Sequence, residues 1–163
     1  MSIRSRLLAL PMPGFLRKTC ITRLVNLTAG AFGVTSPRGC GLRRYAAFTA
    51  EQAMRATDRE ADKLFRDANK LGSRLRARLG IRRTDEALAV MRYMYRLIGI
   101  DFCGTSGAFV IERCGFSSTY TPQICRLISS LDAGFLFGLT AGKKMSFTQR
   151  ITEGAPFCKG VLE

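Results

Sequence analysis

The sequence predicts an α+β domain: an antiparallel sheet of about four strands covered by helices, with a helical N-terminal half. Three observations lead there. Residues 49–98 repeat apolar side chains at three- and four-residue spacing, the mark of helices that bury one stripe. Two pairs of short segments, within 100–113 and 145–162, read instead as strands joined by glycine-containing turns. A further apolar stripe, Ile124, Leu127, Ile128, Leu131, Phe135 and Leu136, lies between those pairs and has helical spacing. The order is therefore helices, hairpin, helix, hairpin. Such segregation favours an antiparallel sheet over the strict alternation of a parallel one.

With 163 residues, the chain has length enough for one domain with its own core. We divide it into a basic N-terminal arm and loop, residues 1–48, and a single α+β domain, residues 49–163. The first stretch, MSIRSRLLALPMPGFLRKTCITRLV, has no acid, carries several arginines and is interrupted by Pro11 and Pro13. Its composition suits an organelle transit segment or a basic arm lying on a membrane or a partner. The charge-free run from Leu24 to Pro37 is too short to span a bilayer, and no transmembrane helix is expected.

Thr49 followed by Gln52 has the spacing of a capping box, and the helix it predicts continues to Leu79, where Gly80 stops it. Thr84 is the expected cap of a second helix ended by Gly99, with Leu88, Met91, Tyr95 and Ile98 facing the core. Ile100–Phe102 and Ala108–Arg113 follow as a hairpin through Gly104 and Gly107. Thr121 and Pro122 are an N-cap and the favoured first helical position, and this third helix is expected to give way to a turn after Gly138. Alternation from Met145 to Thr152 predicts a half-buried strand. Gly154 and Pro156 break it before a last strand, Phe157 to Leu162.

Composition narrows the chemistry. There is no histidine, which removes Ser–His and Cys–His catalysis and the commonest zinc ligand together. The formal charge of +14 is uneven: residues 1–48 hold eight basic side chains and no acid, 49–98 hold twelve and seven, and 99–163 hold six and five. The basic residues lack a reading motif or an aromatic platform, so nucleic acid is not the expected partner. An anionic membrane surface or an acidic protein, met through residues 1–48, fits better. Cysteines at 20, 40, 103, 114, 125 and 158 are widely spaced and form no CxxC pair. Reduced thiols in a cytoplasmic protein, membrane-peripheral through its arm, are the expectation.

The candidate site lies between Arg113 and Cys158. Cys125 falls in the first turn of the helix that starts at Pro122, where unpaired N–H groups and the helix dipole favour a thiolate. Asp132 lies seven residues on, the same face about 10 Å along the axis. A carboxylate beside an apolar stripe needs a partner or keeps its proton. Arg150, on the polar face of the expected strand, could grip a substrate carboxylate with two prongs or pair with Asp132. Cys114, Cys158 and Tyr120 are the further candidates for contact with substrate. No cofactor is expected; the alternative is a zinc site from Cys114, Cys125 and Cys158, with an acid such as Glu112.

Arg113-Cys114, then Cys125, then Asp132, then Arg150-Ile151-Thr152 leading to Glu153-Gly154-Ala155 and Cys158, resembles the pattern of the L-2-amino-thiazoline-4-carboxylic acid hydrolase-like family. The resemblance covers about residues 86–162. Cys125, Asp132 and Cys158 are the positions that match its motif, and Cys114 matches less specifically; Lys159 stands where the family pattern leads one to expect an acid. The resemblance implies a hydrolase that opens a thiazoline-type ring. In the matching mechanism Cys125 attacks a C=N carbon, Asp132 relays a proton to nitrogen and later activates water, and Arg150 holds the substrate carboxylate. The other reading is a non-enzymatic small-molecule- or metal-binding module. The partners expected are thus a small-molecule substrate or ligand, the anionic contact of the arm, and a second copy of the chain in a homodimer.

Overall fold

A computed structural model describes residues 14–39 and 41–163. Residues 1–13 of the basic segment, and Cys40, lie outside them. Among the described residues five α-helices and four strands follow in order: α1 (Gly14–Phe32), α2 (Leu42–Ala53), α3 (Asp58–Leu79), α4 (Thr84–Leu97), β1 (Ile100–Gly104), β2 (Ala108–Cys114), α5 (Pro122–Thr140), β3 (Met145–Gln149) and β4 (Cys158–Leu162). The strands form one antiparallel sheet in the order β1-β2-β4-β3. This is the expected α+β arrangement, with four helices before the sheet, one between its second and third strands, and helices covering one face.

The sheet buries one face. Ile100 and Phe102, Phe109 and Ile111, Met145, and Cys158 with Leu162 alternate inward along their strands. Gly160 on β4 sits between Phe109 and Phe147 of the flanking strands, and the two rings meet edge to face across it, centroids 4.9 Å apart. A β-carbon at Gly160 would run into the Phe109 ring. On the helical side α3 and α5 approach most closely. Gly134 and Gly138, one turn apart on α5, let its backbone touch that of α3 at Phe65 and Asn69, and Gly72 of α3 faces Phe135 in return.

Several expectations give way to the structure. The single helix expected from Thr49 to Leu79 is two, with a break over residues 54–57. Thr49 is no cap: it is buried within α2 and its hydroxyl donates to the Tyr45 carbonyl at 2.9 Å, as a mid-helix threonine does. The real box is Thr57 with Glu60, whose carboxylate accepts from the Thr57 N–H at 2.8 Å. The cap of α4 is Arg83 rather than Thr84; Glu86 accepts the N–H groups of Arg82 and Arg83 at 3.0 and 3.2 Å. Helix α5 runs past Gly138 to Thr140 and is closed by Ala141 in the left-handed conformation (φ 60°).

Residues 14–32, expected within a basic arm, are a packed helix. Cys20, Ile21, Val25, Thr28 and Ala29 of α1 are buried against the rest of the fold. Tyr45 of α2 reaches Thr28, hydroxyl to hydroxyl, at 3.1 Å. Basic residues therefore occupy the outer side of α1 while its inner side joins the core. No described helix is long and apolar enough to cross a membrane.

Candidate functional site

The six residues singled out between Cys114 and Cys158 line one cavity of about 70 Å³ between α5, the sheet and the inner ends of α1, α2 and α4. Local sequence explains each placement. Thr121 caps α5, its hydroxyl accepting the Ile124 N–H at 3.3 Å, and Pro122 opens the helix as expected. Cys125 then lies in the first turn. Ser129 follows one turn later and Asp132 the turn after, so the three form a ladder on the face of α5 that lines the cavity.

Arg150 enters from the sheet side. The alternation expected to run from Met145 to Thr152 stops at Gln149, because Ile151–Glu153 form a tight 3₁₀ turn. That turn brings Arg150 to the cavity instead of leaving it on the solvent face of a strand. Its guanidinium lies flat over the Phe147 ring, 3.8 Å from the centroid, and donates to Ser129 Oγ at 2.8 Å and to Cys125 Sγ at 3.5 Å. Ser129 passes the interaction on, donating to the Cys125 carbonyl at 2.7 Å. The turn is held at both ends: the Ile151 N–H donates to Cys158 Sγ at 3.3 Å, and Glu153 pairs with Arg126 of α5 at 2.7 Å.

Arg150 makes no ion pair among the described residues. The expected pairing with Asp132 is not formed at bonding distance, although the positive charge still favours the ionised carboxylate. Asp132 keeps part of its surface open to the cavity while protein packs around it. Burial dominates and pushes its carboxyl up to about 6, with Tyr95 and Arg150 pulling the other way. The Tyr95 hydroxyl is buried close to Asp132 but makes no hydrogen bond of good geometry, and burial raises it well above an ordinary phenol.

The remaining candidates are less available for chemistry. Cys114, at the end of β2, has its thiol pushed up to about 11 by burial. Burial also raises Cys158, whose sulfur is occupied as the acceptor for Ile151. Tyr120 lines the cavity with its ring, but its hydroxyl is bound to Thr49, and burial raises it too. The five described cysteines are all free thiols. For the zinc alternative, no group of three His, Cys, Asp or Glu residues among the described residues is arranged to hold a metal ion. Glu112, its expected fourth ligand, is exposed on β2 and outside the cavity wall.

Comparison with protein-family models, curated proteins and solved structures finds no match for this chain.

Two participants were missed by sequence reasoning. Ser129 stands four residues after Cys125 and three before Asp132, so helical spacing alone would have put it in the ladder. Tyr95 was assigned to the core by its apolar neighbours, and the core does hold its ring. What no pattern signals is that its hydroxyl ends up beside a carboxyl from a helix 37 residues away, Asp132.

Proposed function

We propose that this protein is a cysteine-dependent hydrolase acting on a thiazoline or related C=N or C–N bond of a small carboxylated substrate. The observation that carries the reading is the contact of Arg150 with Cys125 Sγ at 3.5 Å, in a cavity that also holds Asp132 on the same helix face. The guanidinium holds the sulfur in place beside it, and a half-buried guanidinium with no ion pair among the described residues has donors left for a substrate carboxylate. With its carboxyl near 6, Asp132 can give and take a proton around neutral pH.

The proposed sequence has the Cys125 thiolate bond to the C=N carbon as the π electrons move to nitrogen, which takes a proton from Asp132. The adduct then expels the ring sulfur, which takes the proton from nitrogen and leaves a C=N carbon bonded to Cys125. The Asp132 carboxylate removes a proton from water as the water adds to that carbon and passes the proton to nitrogen; the hydroxyl of the adduct then gives its proton to Asp132 as C=O forms and the bond to Cys125 breaks, returning the thiolate and releasing the ring-opened amide. Ser129 holds the guanidinium in line throughout. The thiazoline class comes from the sequence resemblance, and the reacting groups come from the cavity.

Brief iodoacetamide treatment near neutral pH, read by mass spectrometry, should label Cys125 ahead of the other five cysteines. Arg150→Met should slow that labelling roughly tenfold, the equivalent of one charge-assisted hydrogen bond. A panel of thiazolines, amides and nitriles should be turned over by the wild type and not by Cys125→Ser, with Asp132→Asn strongly impaired. Slow, uniform labelling of all cysteines would remove the enzyme reading. The mostly apolar wall favours one second reading, a small-molecule-binding module, and it would take over if both variants matched the parent while ligand binding persisted. For the anionic contact, Arg17, Lys18 and Arg38, which border an open groove between α1 and the loop before α2, are the residues we assign.

A further inference from the structure

Behind Asp132 lies a second hollow of about 40 Å³. Cys20, Leu27, Leu71, Met94 and Phe135 belong to it alone, whereas Leu24, Tyr95, Ile98, Leu131 and Asp132 border both hollows. The order along α5 gives a direction. Cys125 and Ser129 face only the first cavity, Leu131 and Asp132 face both, and Phe135 faces only the second. The same progression appears at the end of α4, where Tyr95 and the following Ile98 are shared and Met94 is not. A path about 15 Å long along the helix thus leads from sulfur and guanidinium, past a carboxyl and a phenol, into hydrocarbon.

We propose that the second hollow is a subsite for an unbranched alkyl chain, so that the substrate is an amphiphilic carboxylate. Its carboxylate is held by Arg150, its reacting carbon lies at Cys125, and its tail passes between Tyr95 and Asp132. This rests on the reading of Arg150 as the carboxylate grip. The dividing wall is the pair Tyr95 and Asp132, whose hydroxyl and carboxyl interact without a well-formed hydrogen bond, so a chain passing between them displaces only that loose contact. Among the described residues, Asp132 is the one charged side chain that lines the hollow. Cys20 is a buried thiol kept neutral by desolvation, so it behaves as a small apolar wall residue. Leu27, Leu71 and Met94 retain accessible surface that a chain would cover, and methionine adapts readily to a flexible guest.

Straight-chain alkanoates from acetate to octanoate, used as competitors of Cys125 alkylation by iodoacetamide, test the subsite. The protecting concentration should fall about fourfold for each added CH₂, the gain from moving one methylene out of water, and level off once the hollow is full. Leu27→Trp, which fills the hollow, should erase the gain of the longer acids and leave protection by acetate and propanoate unchanged. Leu71→Trp blocks it from another wall and serves should the first variant fold poorly. Protection that ignores chain length but vanishes in Arg150→Met overturns the chain subsite and leaves the carboxylate grip standing. No protection by any acid, with no preference for Cys125, overturns both.

Discussion

Valine in place of Gly134 should leave the protein without a cooperative unfolding transition. The α-carbon of Gly134 lies so close to Phe65 of α3 that an added β-carbon would meet the Phe65 carbonyl oxygen and its backbone neighbours. Backbone cannot turn aside as a side chain can, so relief requires moving α3 and α5 apart along their whole contact. Even alanine at 134 should lower the unfolding free energy by about 3 kcal/mol, the upper range for overpacked cores. Urea denaturation followed by far-ultraviolet circular dichroism measures both. Gly30→Ala supplies the contrast: among the described residues nothing outside its own stretch of helix lies within 4 Å of its β-carbon position, and the better helix former should stabilise α1 by roughly 0.5–1 kcal/mol. Equal effects at the two positions would refute the close approach. The consequence reaches the site, because the helix fixed by Gly134 and Gly138 is the one that carries Cys125, Ser129 and Asp132.

Asp132→Asn should make the protein more stable at neutral pH while strongly impairing its proposed activity. The folded carboxyl holds its proton up to about pH 6, whereas an unfolded aspartate releases it near 3.8. Between those values the folded chain binds more protons than the unfolded one, so stability falls as pH rises through the window and the loss is complete above it. At pH 7 the loss is about 3 kcal/mol, and asparagine, which does not ionise, avoids it. The variant and the wild type should therefore unfold alike at pH 4 and diverge by pH 7, with the variant higher. The exposed acids Glu60, Asp85 and Glu86, whose values are lowered by hydrogen bonding, act in the opposite sense, and taking the difference between the two proteins cancels them. A variant that is less stable at pH 7 would mean that the carboxylate is already well paired.

The ladder on α5 was readable because its determinants are local. A threonine–proline start fixes where the helix begins, and a spacing of seven returns the acid to the face of the thiol. Local signals also misled. Thr49-x-x-Gln52 satisfies the capping pattern, yet a threonine inside a helix satisfies its hydroxyl equally well on the preceding turn, as it does here on Tyr45. Residues 54–57 hold no glycine or proline, so nothing in the stretch announced a break. Gly138 was taken for the end of a helix, when its missing side chain serves a neighbour 69 positions earlier in the chain, Asn69. Arg150 was placed beside the right cavity for the wrong reason. Strand periodicity put it with Ser146 and Thr148, whereas a turn three residues long carries it inward.

The hydrogen bond from the Ile151 N–H to Cys158 Sγ ties that turn to the last strand through a soft, polarisable acceptor. The strand consequently has leverage over the guanidinium of Arg150, eight residues back along the chain. Oxygen added to this sulfur, or a bulkier residue in its place, would push against the turn and lever Arg150 off Cys125, switching off the thiol from the facing wall of the same cavity.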